Sequence, residues 1–256
     1  MNCLLLAGGF ATRMYPLTKN MPKALLELKN KTILSYIVED LCSTSYIQNI
    51  YLVVNHRFFQ IFYDWLQSTE FRERVILVDN GATCAEESRG AALNILKAIE
   101  TYNFTNELLI MGADNLLSFP ISVFLSFYDR VQKSCVMWHE EKDLNRLRLT
   151  GVAQIINGTV AQMREKPHDP IWQCAIPPIY IYTQEALELI RHAEAEGCKM
   201  ASTGSLLEWL TPKIEIAAMK MPGPRYDVGN LKTYYSLNSE ARLVLYGEQV
   251  GKDIVL

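Results

Sequence analysis

The chain has 256 residues, 49% hydrophobic and 21% charged, with a formal net charge of −3. That composition is ordinary for a globular protein with a sizeable core. The acidic balance excludes a sequence-independent nucleic-acid binder, which needs a basic face, but not a small anionic substrate, for which a few local cations suffice.

Residues 3–7 read as a buried strand. Thr32 is placed to cap a helix carrying Ile33, Ile37, Val38 and Leu41 on one side. Residues 49–54 (NIYLVV) form a second strand candidate, and Phe58, Phe62, Trp65 and Leu66 follow at helical spacing. Residues 75–78 suit a third strand. Arg89 and Gly90 then open a helix running through Ile99. Residues 107–111 (ELLIM) suit a fourth strand, and Pro120 fits a helix's first turn ahead of Val123, Phe124 and Phe127. This alternation argues for a parallel sheet covered on both faces.

The second half changes character. Residues 151–156 and 159–163 flank Asn157-Gly158, the strongest short hairpin signal. Residues 175–182 read as a strand broken by Pro177-Pro178, which places it near an edge. A helix over 183–196 ends at Gly197. A short helix over 206–210, a strand over 214–219 and a final helix over 231–246 complete the chain. With no Gly/Ser-rich linker, residues 1–256 read as a single α/β domain with an antiparallel insertion.

The six cysteines show no CxxC pattern, so reduced thiols in a cytoplasmic protein are expected. The apolar run at 3–7 is too short for a signal peptide, and none approaches the ~20 residues of a membrane span. His56 and His139 belong to no metal-spaced pair, and no Ser/His/Asp arrangement is readable.

The most informative stretch is residues 4–23, LLLAGGFATRMYPLTKNMPK. Gly8 and Gly9 lack a Cβ, so they are free to take positive φ and admit a phosphate to backbone N–H groups. Arg13 and Lys23 add two cations, so one segment can hold both ends of a triphosphate. Neither a P-loop (GxxxxGK[ST]) nor a dinucleotide fingerprint (GxGxxG) fits the spacing.

LAGGFATRMYPLTKNMPKALLEL resembles the signature of the sugar-1-phosphate nucleotidylyltransferases, roughly LAGGxGTRLxPLTxxxPKxLLxV. Gly112-Ala113-Asp114-Asn115 looks like that family's metal-binding segment, Arg164-Glu165-Lys166-Pro167 like its EKP motif, and Tyr226-Asp227-Val228-Gly229 like its late aspartate motif. The resemblance implies a Rossmann-like mixed, mainly parallel sheet flanked by helices, the nucleotide-diphospho-sugar transferase fold. It implies attack of a sugar-phosphate oxygen on the α-phosphorus of an NTP, with pyrophosphate leaving. Catalysis would then be mainly positioning and charge neutralisation. Mg²⁺ is the implied cofactor, held by Asp114 and Asp227, because it prefers carboxylate, phosphate and water oxygens. Arg13 would grip the departing pyrophosphate and Lys23 would sit near the α-phosphate. Leu6, Ala7, Gly8, Gly9, Ala11, Asn80 and Gly90 would meet the nucleotide. Gly151, Glu165, Lys166 and Tyr180 would line the sugar-phosphate side.

Several departures from the family pattern stand out. Ala11 replaces a usual glycine, so the loop must take negative φ there or strain. Ala113 lengthens the usual Gly-Asp, and Pro177-Pro178 and Asn230 differ on the sugar side. Residues 79–90 (DNGATCAEESRG) do not match the glutamine-rich base-reading segment of thymidylyl- and uridylyltransferases, which leaves the base open. The favoured substrates are dTTP or UTP with glucose 1-phosphate. A rival is a cytidylyltransferase acting on phosphocholine or a similar phospho-alcohol, which needs an aromatic or acidic cage for the quaternary amine; Tyr180, Tyr182 and Trp172 are the aromatic candidates. A rival of another class is a non-catalytic nucleotide-sensing module. The resemblance implies neither nucleic acid nor membrane as a partner, and leaves a homo-oligomer open.

Overall fold

The computed structural model describes residues 1–239. In chain order its strands and helices are β1 (Asn2–Leu6), β2 (Glu27–Leu28), β3 (Lys31–Thr32), α1 (Ile33–Cys42), β4 (Ile50–Val54), α2 (Phe59–Gln67), β5 (Val75–Asp79), α3 (Ala91–Tyr102), β6 (Leu108–Gly112), β7 (Asn115–Leu117), α4 (Ser122–Val131), β8 (Cys135–Glu140), α5 (Leu144–Leu147), β9 (Gly151–Ile156), β10 (Thr159–Glu165), β11 (Cys174–Ile176), β12 (Ile179–Tyr182), α6 (Gln184–His192), α7 (Thr203–Leu210), β13 (Ala217–Lys220), β14 (Arg225–Asp227) and α8 (Leu231–Ser239). The expected final helix begins as read, and its continuation past Ser239 lies outside the described residues. The class is mixed α/β, as expected.

The chain divides into two compact units. The first comprises Met1–Leu4, Arg89–Met111 and Phe124–Met221. Its strands run in the order β11-β9-β10-β13-β8-β12-β6-β1. The antiparallel insertion is here: β9 and β10 form the hairpin, with Asn157 and Gly158 at φ 51° and 75°, as a type I′ turn requires. The expectation of one edge strand over 175–182 is corrected. Pro177-Pro178 separates two strands; β11 pairs with both β9 and β8, and β12 pairs with both β6 and β8 and is fully buried, so neither is an edge. The prolines fall between strands, so neither removes a ladder donor. The sequence reading also passed over β8, whose apolar run Cys135-Val136-Met137 gives way at once to Trp138, His139 and Glu140.

The second unit comprises Leu5–Ser88, Gly112–Val123 and, among the described residues, 222–239. Here β4 and β5 pair in parallel, and the chain leaving β1 joins them through Ala7 N–H donating to the Val53 carbonyl at 2.8 Å. α1 forms where the sequence places it. Thr32 Oγ1 accepts from Ser35 N–H at 3.1 Å, and Ile33, Leu34, Ile37, Val38 and Leu41 are buried along one stripe. At ~1.5–3 kcal/mol for each buried aliphatic side chain, that stripe outweighs the modest propensity of a ten-residue helix.

Near the end of α1, Asp40 accepts from Ile121 N–H with both carboxylate oxygens, at 3.2 and 3.0 Å. Burial nevertheless outweighs that hydrogen bonding and raises its pKa from 3.8 to about 7. A carboxyl whose folded pKa is raised favours folding only while protonated, so its contribution falls as pH climbs from about 4 to about 7. Asp40→Asn keeps an acceptor without the charge. It is expected to be more stable than the parent at pH 8 by about 1–2 kcal/mol, and equal to it near pH 4. Urea denaturation at the two pH values checks this; equal shifts at both would show that Asp40 does not titrate in the fold.

Candidate active site

The loop that opens the chain is built differently from its sequence expectation. Gly8 is buried and its carbonyl accepts from Asn55 Nδ2 at 3.4 Å, while Gly9 is exposed with open space at its Cβ position. Neither glycine takes positive φ. The left-handed residue is Ala11, at φ 49° and ψ 42°. An alanine there carries strain of ~1–2 kcal/mol. Its carbonyl is held from two sides, by Thr18 Oγ1 at 2.8 Å and Met14 N–H at 2.9 Å, and Thr18 is buried. That turn starts a short 3₁₀ segment, Thr12–Met14, which buries Met14 and leaves Arg13 exposed. Pro22, extended at φ −66°, sets the start of the next 3₁₀ turn, whose first residue is Lys23.

Lys23 ends at Asp114, donating from Nζ to Oδ2. Asp114 follows β6, and the neighbouring Ala113 N–H donates to the Leu6 carbonyl at 3.0 Å, which docks this turn beside the opening loop. Asn115 Nδ2 donates to Asp114 Oδ1 at 2.7 Å. β14 pairs with β7 in the register Asp227↔Asn115, which brings the second aspartate, 113 positions later, beside the first. Val228 N–H donates to the Asp114 carbonyl at 3.3 Å. Arg225 completes the cluster through Asn115 and lies 3.6 Å from Asp227.

The electrostatics differ for the two carboxylates. Burial would raise the Asp114 pKa, but the Lys23 charge and hydrogen bond, with Arg225, outweigh it and hold the group below the usual carboxylate range. Asp227 is pushed up, by burial first and by the Asp114 charge second, against Arg225 and Lys23. Half of the Asp227 side chain is open to solvent, which mutes the burial effect. Among the described residues no group of three or more His, Cys, Asp or Glu is placed to hold a metal. Two carboxylates suffice for Mg²⁺ when phosphates and waters complete the shell.

The remaining expected nucleotide residues are spread out. Asn80 sits after β5, where its N–H donates to the Val54 carbonyl and its Oδ1 accepts from Ala82 N–H at 3.0 Å. Gly90, at φ 99°, caps α3 in the first unit. A Cβ there would lie 2.4 Å from the Met200 carbonyl oxygen and 2.6 Å from that of Ala201. The same two carbonyls accept from Leu93 and Ala91 N–H at 3.3 and 3.1 Å.

The first unit gathers the residues expected on the sugar side. Glu165 ends β10; its Oε1 accepts from Ser202 Oγ at 2.8 Å and lies 3.5 Å from Lys166 Nζ. Ser202 caps α7 by accepting from Ser205 N–H at 3.0 Å, so the same hydroxyl ties Glu165 to the helix start. A Cβ on Gly204 would lie 1.9 Å from Glu165 Oε2, and one on Gly151 would lie 3.2 Å from it. Gly204 makes room for that carboxylate, whereas Gly151 makes room first for Met163 Cε, 2.4 Å from its Cβ position. Glu208 braces the strand end, accepting from Arg164 Nη1 and Glu165 N–H at 3.0 and 3.1 Å. Lys166, at φ 47°, is anchored by its N–H to the Thr150 carbonyl, and more than half of its side chain is exposed. Tyr180 is 1% exposed, with its hydroxyl 3.4 Å from Thr203 Oγ1. The aromatic cage does not form. Tyr180 and Tyr182 are buried with ring centroids 5.7 Å apart, and Trp172 packs against Leu147, Val152 and Ala175.

Sequence reasoning missed Arg225, Ser202, Gly204 and Glu208 as site residues. Ser202 carried a signal, as a capping residue with a glycine just before the apolar run 206–207. Arg225 carried none, since a lone arginine near an aspartate is usually a solvated charge.

The model of the family described as Nucleotidyl transferase matches residues 2–242. The chain belongs to this family. Its nucleotidyl transferase relatives include the mannose-1-phosphate guanylyltransferase catalytic subunit beta of Dictyostelium discoideum, 23% identical over 92% of this chain and 63% of that protein. The CTP:phosphoglutamine cytidylyltransferase of Campylobacter jejuni is 51% identical over 43 residues, 17% of each chain. Among solved structures, a UDP-glucose pyrophosphorylase complexed with UDP-glucose superposes with TM-score 0.77 at 21% identity, covering 93% of this chain and 96% of that one. The structural likeness establishes the fold. The chain spans less than two thirds of the length of the Dictyostelium relative. Among the described residues no helix is long and apolar enough to cross a membrane.

Proposed function

We propose that this nucleotidyl transferase transfers a nucleotidyl group from an NTP to a sugar 1-phosphate, releasing pyrophosphate and an NDP-sugar. The observation that carries the reading is the joining of Lys23, Asp114, Asn115, Arg225 and Asp227 into one cluster beside the opening loop, from three separate parts of the chain. Asp114 and Asp227 would hold Mg²⁺, whose bound charge neutralises phosphate oxygens. Lys23 would turn its ammonium from Asp114 to the α-phosphate, where charge builds in the transition state. Arg13, exposed on its 3₁₀ turn, offers a fork to the leaving pyrophosphate. Glu165 would accept from acceptor hydroxyls and Lys166 would meet the acceptor phosphate.

The favoured pairs are dTTP or UTP with glucose 1-phosphate, tested beside GTP with mannose 1-phosphate, the pair suggested by the name of the Dictyostelium relative. A second reading, cytidylyl transfer from CTP to a phosphorylated alcohol, is favoured by the 51% identical stretch shared with the Campylobacter enzyme. Tyr180, Tyr182 and Trp172 form no aromatic cage for a quaternary amine, so these three residues lend a choline headgroup no support. Pyrophosphate release with Mg²⁺, measured for each common NTP against hexose 1-phosphates and phospho-alcohols, tests both readings. Release confined to one pair supports the reading that pair represents. Tight nucleotide binding with no release in any combination would overturn both and favour a nucleotide sensor.

Gly204→Ala tests the acceptor side. The added methyl displaces the Glu165 carboxylate, a flexible side-chain end, so the fold should hold. Losing one charge-assisted hydrogen bond to the acceptor is expected to lower kcat/KM for it about tenfold or more, with the KM for NTP unchanged. Steady-state kinetics with each substrate varied in turn would show the split; an equal rise in both KM values would count against Glu165 as an acceptor ligand.

A further inference from the structure

Arg225 stands two residues before Asp227 on β14, so the two side chains leave the same face of the strand. It is well shielded, with 14% of its side chain exposed. Nη1 donates to Asn115 Oδ1 at 2.6 Å and lies 3.6 Å from Asp227 Oδ2. Its Nε is buried with no hydrogen-bond partner among the described residues. Asn115 transmits the grip: its Nδ2 donates to Asp114 Oδ1 at 2.7 Å and to the Gly112 carbonyl at 3.2 Å. Lys23 occupies the other oxygen of Asp114. The carboxylate pair therefore faces two built-in cations, and the four formal charges cancel.

We infer that Arg225 is a positioning residue and an internal countercharge: it fixes Asn115 and Asp227 and, with Lys23, balances the carboxylates until nucleotide arrives, so that the divalent cation enters with the NTP and not ahead of it. A free dication meets a neutral cluster in which Lys23 already holds Asp114. An incoming triphosphate supplies negative charge and a better partner for Lys23, which frees an Asp114 oxygen. The nucleotide half of this inference rests on the proposed reaction; the countercharge half does not.

The test is binding of Mn²⁺ to the full chain, read from the electron paramagnetic resonance signal of the free ion, without acceptor, with and without a non-hydrolysable UTP analogue. Arg225→Gln keeps an N–H donor for Asn115 and removes the charge. Without nucleotide it should bind Mn²⁺ about tenfold more tightly than the parent, since one partly buried charge a few ångströms away no longer opposes the ion. Arg225→Lys keeps the charge and should stay as weak as the parent. The analogue should tighten Mn²⁺ binding in the parent far more than in Arg225→Gln. Arg225→Gln binding no tighter than the parent would overturn the inference, and so would Arg225→Lys tightening as much as Arg225→Gln. Should Arg225→Gln fail to fold, Arg225→Met, which also removes the charge, replaces it under the same readings. An analogue without effect on any variant, beside a tightened Arg225→Gln, would overturn the ordered entry and weigh against the nucleotidyl reading while leaving the countercharge standing.

Discussion

Asp114→Asn is expected to cut turnover by about 10²–10³-fold while the protein stays folded. Asparagine matches the shape of the side chain and still accepts from Asn115 Nδ2, now 2.7 Å away. It supplies no negative charge, so Lys23 loses its ion-pair partner and the cluster keeps one carboxylate facing two cations. Under the proposed reaction a divalent cation would then have one charged ligand instead of two, and the phosphates would lose part of their neutralisation. The loss should fall on kcat as well as kcat/KM, because the missing interaction matters most where charge develops on the α-phosphate. Single-turnover pyrophosphate release at saturating Mg²⁺ measures it, with thermal melting as the check on folding. Retention of more than about a tenth of parental turnover would remove Asp114 from the reaction.

The other large effect is on stability. Gly90→Ala places a methyl 2.4 and 2.6 Å from two carbonyl oxygens and 2.7 Å from the Ala201 Cα, all of them backbone atoms. No flexible side-chain end can swing away, so either α3 or the 200–201 segment must move. That movement lengthens the hydrogen bonds from Ala91 and Leu93 that start the helix. The φ of 99° adds conformational strain of its own. About 3–5 kcal/mol of lost stability is expected, and a drop of roughly 10 °C in Tm. Gly81, also at positive φ but with open space at its Cβ position, is the internal comparison. Gly81→Ala should cost only the strain, about 1–2 kcal/mol. Equal losses at the two glycines would show that the close approach of 200–201 contributes nothing.

Much of the molecule was legible in the sequence because the signals were local. The Thr32 cap and the apolar stripe after it gave α1, and Asn157-Gly158 gave the hairpin, since cap chemistry and positive φ act within a few residues. The spacing of Arg13, Pro22 and Lys23 with the three later motifs pointed to the family, which the match over residues 2–242 shows. The Pro177-Pro178 pair misled, because a proline demotes a strand only where it occupies a ladder position, and here it lies between two strands. The glycine pair was half informative. The loop does turn through a left-handed residue, but at Ala11, where Thr18 and Met14 hold the carbonyl.

The sequence by itself determined many of the elements, though not β8 or the split of 175–182, and the set of charged residue types, because periodicity, caps and turn residues report on neighbours a few positions away. Only the tertiary structure decided which charges meet. The β7–β14 register sets Asp227 beside Asn115, and Arg225 reaches the same cluster from that strand. Ser202 and Gly204 shape the seat of Glu165 from a helix start 37 and 39 positions away. Such pairings depend on strand register and helix packing over long sequence separations, and no local pattern in the chain encodes them.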